Sequence, residues 1–428
     1  MRVRQFNTDL KGGAATAAKR LHLSLLKNRI DSRFHYHPDY HDESAIPDRQ
    51  DTFQSLAPCE PTGIAKWIER RETKSKRNRN YRKHFANRPK DREIFSTPWQ
   101  RGWTPFGKND ACEIVHLHWI LSWLDLSTFL RSFPKKQPIV WTLHDMNTIT
   151  GGCHHSDECA KFKTVCQSCI QIDNPGIRDI SRKVFDYKKK LFKHRNIHFV
   201  TPSKWMENNV RESSLGQYST TIRTIRNGLD LTLFQPFEKN DSRHELAIPT
   251  TQPVIGFGAA SLSNNRKGFQ DLLKALQLLA NDMPTTEITV LVFGVDDLQI
   301  PPIPGIKFLS LGYLSTPIQQ QKAYSAMDLF VLPSWAENMP QTAVEAMACG
   351  TPVLAYNIGG VPEIVIHNQT GLLAKHRDPV DLANKIRNAI GQSERMTDWG
   401  KNGRRLIEKQ FSLQESHNQY MELYRSVV

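Results

Sequence analysis

The sequence predicts two tandem α/β domains, each built on a doubly wound parallel sheet. Three observations carry this: the length, the alternation of short apolar runs with helical stretches in both halves, and a break in that alternation midway. A chain of 428 residues exceeds what one hydrophobic core usually serves, because cores stop growing at roughly 250–300 residues. In the first half, Arg2–Thr8 reads as a strand, and the Gly12-Gly13 turn opens a helix over Ala14–Asn28 with apolar spacing near 3.6. Ile114–Trp119, Pro138–Leu143, Ile197–Thr201 and Thr221–Ile225 read as further strands, and strands separated by helices imply parallel βαβ units. Residues 40–110 are polar, basic and dotted with proline, as in an insertion or long loop.

The break lies within Leu231–Pro253, where Pro, Asn and Asp density and loss of period suggest a linker. The alternation then restarts: strand PVIGFGA, helix Gly268–Leu279, strands ITVLVFG and IKFLSLG, helix Ile318–Met327, strand LFVLP, a helix from Pro340 to Ala348, and strand PVLAY. The domains are accordingly expected at 1–235 and 250–410, with a helix over 411–428 packing back toward the first domain.

Composition narrows the class. Apolar content of 39% and charged content of 23% suit a globular protein, and no run approaches the 18 or so apolar residues of a spanning helix. The N-terminus has no continuous apolar segment of signal-peptide type. The expected compartment is the cytoplasm, where the seven cysteines stay reduced unless metal-bound. A net charge of +14 implies anionic partners. Much of the excess sits between Lys66 and Arg92. That stretch is either a solvated basic segment or a surface for acidic lipid headgroups or a pyrophosphate-bearing acceptor. No RNP-type motif, zinc-finger spacing or aromatic platform accompanies it, so no nucleic acid is expected.

The stretch AENMPQTAVEAMACGTPVLAYNIGG (336–360) raises the sharpest question. It places two carboxylates, Glu337 and Glu345, around the start of an apolar helix. Pro340 suits the first turn, where its missing N–H is no loss, and Gly350 with Pro352 ends the helix. Glu337 then projects from the loop after a strand and Glu345 lies one and a half turns in, near free backbone N–H groups that attract phosphate. Singly, Glu337 reads as an acid compensating the helix dipole and Glu345 as a residue paired with a solvent cation. Burying Glu345 on so apolar a helix requires a polar partner.

ENMPQTAVEAMACGTPVLAYNIGGVPEIV, followed by NQTGLLAKHRDP, closely resembles the E-x7-E donor-binding region of the retaining glycosyltransferase family 4. KGGAATAAKRLHLSLLKNR, WTLHD, PSKWM, RNGLD and RKGFQDLLKAL occur in that family's order and approximate spacing. HLHW, WTLHD and TGGCH are similar to the members that build bacterial capsule and exopolysaccharide, the colanic-acid type. The resemblance implies a GT-B fold: two Rossmann-like α/β domains facing across a cleft. It implies that Glu337 contacts donor sugar hydroxyls, that Glu345 accepts from the ribose, and that Arg266 and Lys267 neutralise the donor diphosphate. His144, at the end of strand PIVWTL, is implied as a catalytic or substrate-orienting residue beside the sugar. Gly12 and Gly13 permit close backbone approach to diphosphate or acceptor, and the backbone of Asn338, Met339 and Pro340 flanks the donor. The implied partners are a UDP- or GDP-sugar and a saccharide or polyprenyl-diphosphate-linked acceptor, with a peripheral place on the inner face of an anionic membrane.

GFGAAS (256–261) touches on a dinucleotide fingerprint, but Ser261 stands at the third glycine position and the usual acidic residue is missing. Cys153, Cys159, Cys166 and Cys169, with His154 and His155, contain a single C-x2-C, which leaves both a structural zinc and reduced thiols open. No cofactor is expected to be required for catalysis, since Arg266 and Lys267 supply positive charge. The competing functions are a GT-B sugar-nucleotide epimerase or phosphorylase, and a non-enzymatic protein binding anionic surfaces or RNA.

Overall fold

The computed structural model describes residues 1–40, 42, 46, 50–56, 84–88, 95–99, 111–294 and 300–428. Its chain divides into two compact units, Met1–Ile225 with His417–Val428, and Arg226–Ser416. The division falls at Ile225, and the expected linker instead carries a helix, α5 (Lys239–Glu245), within the second unit. Arg243 on that helix explains the difference: its guanidinium pairs with Asp328 at 2.6 Å and donates to the Ala326 carbonyl at 2.9 Å. Such tertiary anchoring leaves no periodic trace in the sequence.

The first unit holds a seven-stranded parallel sheet, β3-β2-β1-β4-β5-β6-β7. The strands are β1 (Arg2–Phe6), β2 (Asp31–Tyr36), β3 (Phe53–Ser55), β4 (Ile114–Leu117), β5 (Ile139–Thr142), β6 (Ile197–Thr201) and β7 (Thr221–Thr224). Helices α1 (Gly13–Lys27), α2 (Leu126–Arg131), α3 (Ile180–Phe192) and α4 (Lys204–Glu212) connect them. β2 and β3 were not expected from the sequence. DSRFHY is polar at four of its six positions, yet five of the six are at least partly buried, because a strand inside a parallel sheet is covered on both faces. β3 lies inside the expected 40–110 insertion; the basic stretch Lys66–Arg92 falls outside the described residues except at 84–88.

Alternate residues of β5 serve opposite faces: Ile139 and Trp141 join one core, Val140 the other. Helix α11 (Leu413–Val427) completes the second core with Tyr420, Met421, Leu423 and Tyr424, packed with Leu21 and Leu25 of α1.

The second unit holds a six-stranded parallel sheet, β10-β9-β8-β11-β12-β13. Its strands are β8 (Val254–Gly258), β9 (Ile288–Phe293), β10 (Ile306–Ser310), β11 (Leu329–Leu332), β12 (Val353–Tyr356) and β13 (Gly371–Ala374). Beside them lie α6 (Phe269–Asp282), α7 (Pro317–Ala326), α8 (Gln341–Ala348), α9 (Pro379–Ile390) and α10 (Ser393–Gln410). β11 divides cleanly: Leu329 and Val331 pack with α6 and α9, Phe330 and Leu332 with α8. That two-sided burial is why its sequence is uniformly apolar rather than alternating.

Both sheets reverse strand order beside their first strand, between β1 and β4 and between β8 and β11. Open α/β sheets bind ligands at the carboxyl ends of strands flanking such a reversal. Among the described residues no helix is long and apolar enough to cross a membrane.

Candidate active site

In the second unit the reversal between β8 and β11 gathers the residues singled out above. After β8 the chain makes one 3₁₀ turn, Asn265–Lys267, capped by the Asn264 side chain accepting from the Arg266 N–H at 3.2 Å. Gly268 follows with φ +72°, and a Cβ there would lie 1.7 Å from the Pro333 carbonyl oxygen. Only glycine lets this turn seat against the loop leaving β11. Across that contact the Trp335 N–H donates to the Arg266 carbonyl at 2.7 Å, and Arg266 Nη1 donates to the Ala336 carbonyl at 2.9 Å.

Lys267 Nζ donates to Glu337 Oε1 at 2.7 Å, and Arg266 Nη1 stands 3.6 Å from the same oxygen. The Glu337 side chain is 10% exposed, against 27% for Lys267 and 22% for Arg266. The carboxylate is thus the shielded member, and the two cations keep access to water and to a ligand. Two positive charges on one negative leave the cluster cationic, as an anionic ligand requires.

The loop is clamped from further sides. Trp335 Nε1 donates to Asp271 Oδ2 of α6 at 2.8 Å, and the Tyr356 hydroxyl donates to the same oxygen at 3.1 Å. The Arg377 guanidinium lies 4.4 Å from the Trp335 ring centre. Gly359 has φ +58°, and a Cβ on it would sit 1.8 Å from the Glu337 carbonyl oxygen, which also accepts the Gly360 N–H at 3.3 Å. The Gly-Gly turn therefore lets this loop lie directly on the backbone of Glu337.

Pro340 is the N-cap of α8 rather than its first helical residue: its ψ of 115° is extended, and the helix begins at Gln341. Glu345, in the second turn, is 7% exposed and accepts from the Tyr324 hydroxyl at 3.1 Å, which supplies the polar partner that burial demands. Asn338 and Met339 are buried at 4% and 6% exposure. The Met339 side chain belongs to the apolar core beside α8, which leaves only its backbone to face a ligand.

In the first unit, Gly12 caps α1 and Gly13 opens it, at the carboxyl edge of β1. His144 follows β5 and its Nε2 is 3.2 Å from His118 Nδ1. Burial pushes its imidazole down to about 4, with the neighbouring Asp145 charge opposing the shift. Asp145 accepts from Trp119 Nε1 at 3.0 Å and from the Asn147 N–H at 2.8 Å, and pairs with His154 Nδ1 at 2.7 Å. Burial alone would raise this carboxyl, but His154 and the hydrogen bonds hold it well below the usual carboxylate range. A cavity of about 20 Å³ beside His118, Trp141 and His144 has room for a single water.

Lys188 of α3, buried at 2% exposure, underpins the loop after His144, donating to the Asn147 carbonyl and, at 3.2 Å, to the Thr150 carbonyl. Burial pushes the Cys153, Cys166 and Cys169 thiols up, Cys166 to about 12. Cys166 accepts the Gly151 N–H at 3.1 Å. Among the described residues no three His, Cys, Asp or Glu side chains group as metal ligands would. His118, Trp335, Asp271 and Gly359 stand beside the candidate residues, and the sequence signals for them are limited to HLHW and the Gly-Gly turn.

Residues 238–406 match the family model "Glycosyl transferases group 1". The second unit is thus similar to the group 1 glycosyltransferases over this span. The matched span contains Arg266, Lys267, Glu337 and Glu345 and excludes Gly12, Gly13 and His144. Among the relatives, the α-maltose-1-phosphate synthase of Mycolicibacterium smegmatis is 27% identical over 226 residues, 48% of this chain and 57% of that protein. The putative colanic acid biosynthesis glycosyl transferase WcaC of Escherichia coli is 24% identical over 332 residues, covering 72% of this chain and 76% of its own. A D-inositol 3-phosphate glycosyltransferase of Corynebacterium jeikeium is 32% identical over 39% of this chain and 42% of that one. WcaC apart, these alignments span about half the length of the relatives they match.

The fold is shared over the whole chain with GT-B glycosyltransferases. Anabaena HepE with UDP and glucose superposes with a TM-score of 0.66 at 16% identity, covering 100% of both chains. Sucrose-phosphate synthase of Thermosynechococcus elongatus superposes with a TM-score of 0.65 at 18% identity, covering 100% of this chain and 99% of that one.

Proposed function

We propose that this protein is a nucleotide-sugar-dependent, retaining glycosyltransferase acting in surface polysaccharide synthesis. The observation that carries the reading is the Arg266–Lys267–Glu337 cluster at the β8/β11 reversal, beside the N-terminus of α8. The donor diphosphate binds the two cations and the first backbone N–H groups of α8, which have no side-chain cap. Charge grows on the departing nucleoside diphosphate, so Arg266 and Lys267 stabilise the transition state more than the ground state. Glu337, held by Lys267, contacts the sugar and supports the oxocarbenium-like transition state; Glu345 accepts from the ribose, and His144 orients the sugar. The acceptor oxygen bonds to the anomeric carbon on the face from which the phosphate oxygen leaves. The acceptor proton passes to that leaving phosphate, and configuration is retained.

HepE, which shares the fold, is described in complex with UDP-glucose, and this supports a UDP-sugar as the donor. WcaC's description as a colanic acid biosynthesis enzyme supports a saccharide or lipid-linked saccharide acceptor. A peripheral position on the inner face of the cytoplasmic membrane follows from such an acceptor.

A thermal-shift panel of UDP-, GDP- and ADP-sugars tests the donor. One of them is expected to raise Tm with concentration, and Lys267→Ala to abolish the shift. No shift with any of the three, or unchanged transfer rates in both Glu337→Ala and Lys267→Ala, would overturn the assignment.

A further inference from the structure

Behind His144 runs a series of five hydrogen bonds through the first unit. His144 Nε2 is 3.2 Å from His118 Nδ1, and His118 Nε2 is 3.0 Å from Gln5 Oε1. Gln5 Nε2 donates to Ser32 Oγ at 3.2 Å, Ser32 Oγ is 2.8 Å from His22 Nδ1, and His22 Nε2 is 3.0 Å from Thr52 Oγ1. Gln5, His22, Ser32 and His118 are buried at 0%, 0%, 1% and 4% exposure. They stand on β1, α1, β2 and just beyond β4, so the series ties four elements to His144, two residues past β5.

The series has a direction. An amide oxygen only accepts and an amide nitrogen only donates, while a neutral imidazole has one nitrogen of each kind. Burial lowers all three imidazoles, His22 to about 3, His144 to about 4 and His118 well below its ordinary value, so each is neutral near pH 7. For His118, the neighbouring His116 and His144 add to the effect, and for His144 Asp145 opposes it. With Gln5 Oε1 accepting, His118 carries its proton on Nε2 and accepts through Nδ1. His144 must then donate from Nε2, which makes Nδ1 its acceptor nitrogen. At the other end Gln5 Nε2 donates to Ser32, Ser32 donates to His22 Nδ1, and His22 Nε2–H donates to Thr52.

We propose that His118 is a positioning residue for His144, and that the oriented series through Gln5, Ser32, His22 and Thr52 holds His144 in the Nε2–H tautomer, with Nδ1 the acceptor for a sugar hydroxyl. The hydroxyl contact rests on the glycosyl-transfer reading above; the tautomer does not. One imidazole nitrogen fixes the role of the other, so the device selects a hydrogen-bond acceptor at His144 without placing a charge there.

The test is a long-range proton–nitrogen spectrum of the full chain labelled with ¹⁵N-histidine, with the His144 signals assigned by their loss in His144→Gln. Wild type is expected to show His144 protonated on Nε2. His118→Leu, which removes the acceptor, is expected to release His144 into a tautomer mixture. It should also lower kcat for sugar transfer by on the order of 10-fold, with KM changed by less than about 2-fold, as loss of a partner that orients a functional histidine does. His118→Asn, whose Oδ1 replaces Nδ1, is expected to restore both. A His144 proton on Nδ1 in wild type would overturn the proposal, since the series then runs in reverse. So would an unchanged tautomer in a folded His118→Leu protein. If wild type turns over no nucleotide sugar, the glycosyl-transfer reading fails while the spectrum still decides the tautomer.

Discussion

Trp335 shows how much of the site is set by one side chain. It sits two positions before Glu337, its indole N–H held by Asp271 and its face covered by Arg377. Replacing it with phenylalanine keeps an aromatic face but strands one donor interaction of a buried carboxylate that still has the Tyr356 hydroxyl. We expect Trp335→Phe to cost about 1 kcal/mol in urea unfolding. The donor KM should rise several-fold, because the loop carrying Glu337 loses a fixed point. A variant with wild-type KM would show that Gly359 and Arg266 hold the loop unaided.

Glu337 and Lys267 carry a related lesson. The resemblance assigned them separate tasks at the sugar and the phosphates, whereas the structure makes them ion-pair partners at 2.7 Å. Glu337→Gln should therefore disturb both tasks, lowering kcat by on the order of 100-fold. Stability, measured by denaturant unfolding, should change by less than about 1 kcal/mol, since Lys267 keeps access to water.

At the scale of elements, the turns between strands and helices decide where the chemistry stands. Most strands were legible because two-sided burial makes them short apolar runs, β2, β3 and β13 being the exceptions; α8 was legible from its small residues and its flanking Pro340 and Gly350. The turns were not legible, since nothing in a lone Gly-Gly says which backbone will lie against it. Gly359→Ala meets both a left-handed φ of +58° and a carbonyl oxygen 1.8 Å from the new Cβ. The φ alone costs about 1–2 kcal/mol, and the clash adds to it, so a loss of at least about 2 kcal/mol is expected in thermal or urea unfolding. The substitution should also displace Glu337 and depress turnover. Wild-type stability in this variant would mean that the loop relaxes away from Glu337 without cost.

At the scale of the whole molecule, buried histidines are concentrated in the first unit. Burial pushes His22, His35 and His116 down to about 3 and His144 and His198 to about 4, and all five lie within Met1–Ile225. An unfolded histidine protonates near pH 6.5. Above that pH each group is neutral in both states and costs nothing. As pH falls from about 6.5 toward 4 the unfolded state binds protons that the folded state refuses. Stability then drops by up to about 1.4 kcal/mol per pH unit for each such histidine. The first unit should therefore unfold on acidification between about pH 6 and 4, ahead of the second, as followed by hydrogen exchange resolved to the two units. Acid unfolding that starts in Arg226–Ser416 would contradict this. The C-terminal helix matters at the same scale: removing 413–428 strips Tyr420, Met421, Leu423 and Tyr424 from one core and the Tyr424 hydroxyl from His116. At about 1.5–3 kcal/mol per buried side chain, the first unit is expected to lose cooperative unfolding.

The amino-acid sequence by itself determined the two α/β domains, the order of most of their strands, and the motif residues around Glu337. Those features rest on local periodicity and on motifs read within one stretch. The pairing of Lys267 with Glu337, the Trp335 clamp, the seat of Gly359 and the series behind His144 were decided by the tertiary structure alone. They join residues 10 to 113 positions apart, and a hydrogen bond or ion pair across such a separation depends on where the sheet order places each strand end, which no local pattern encodes.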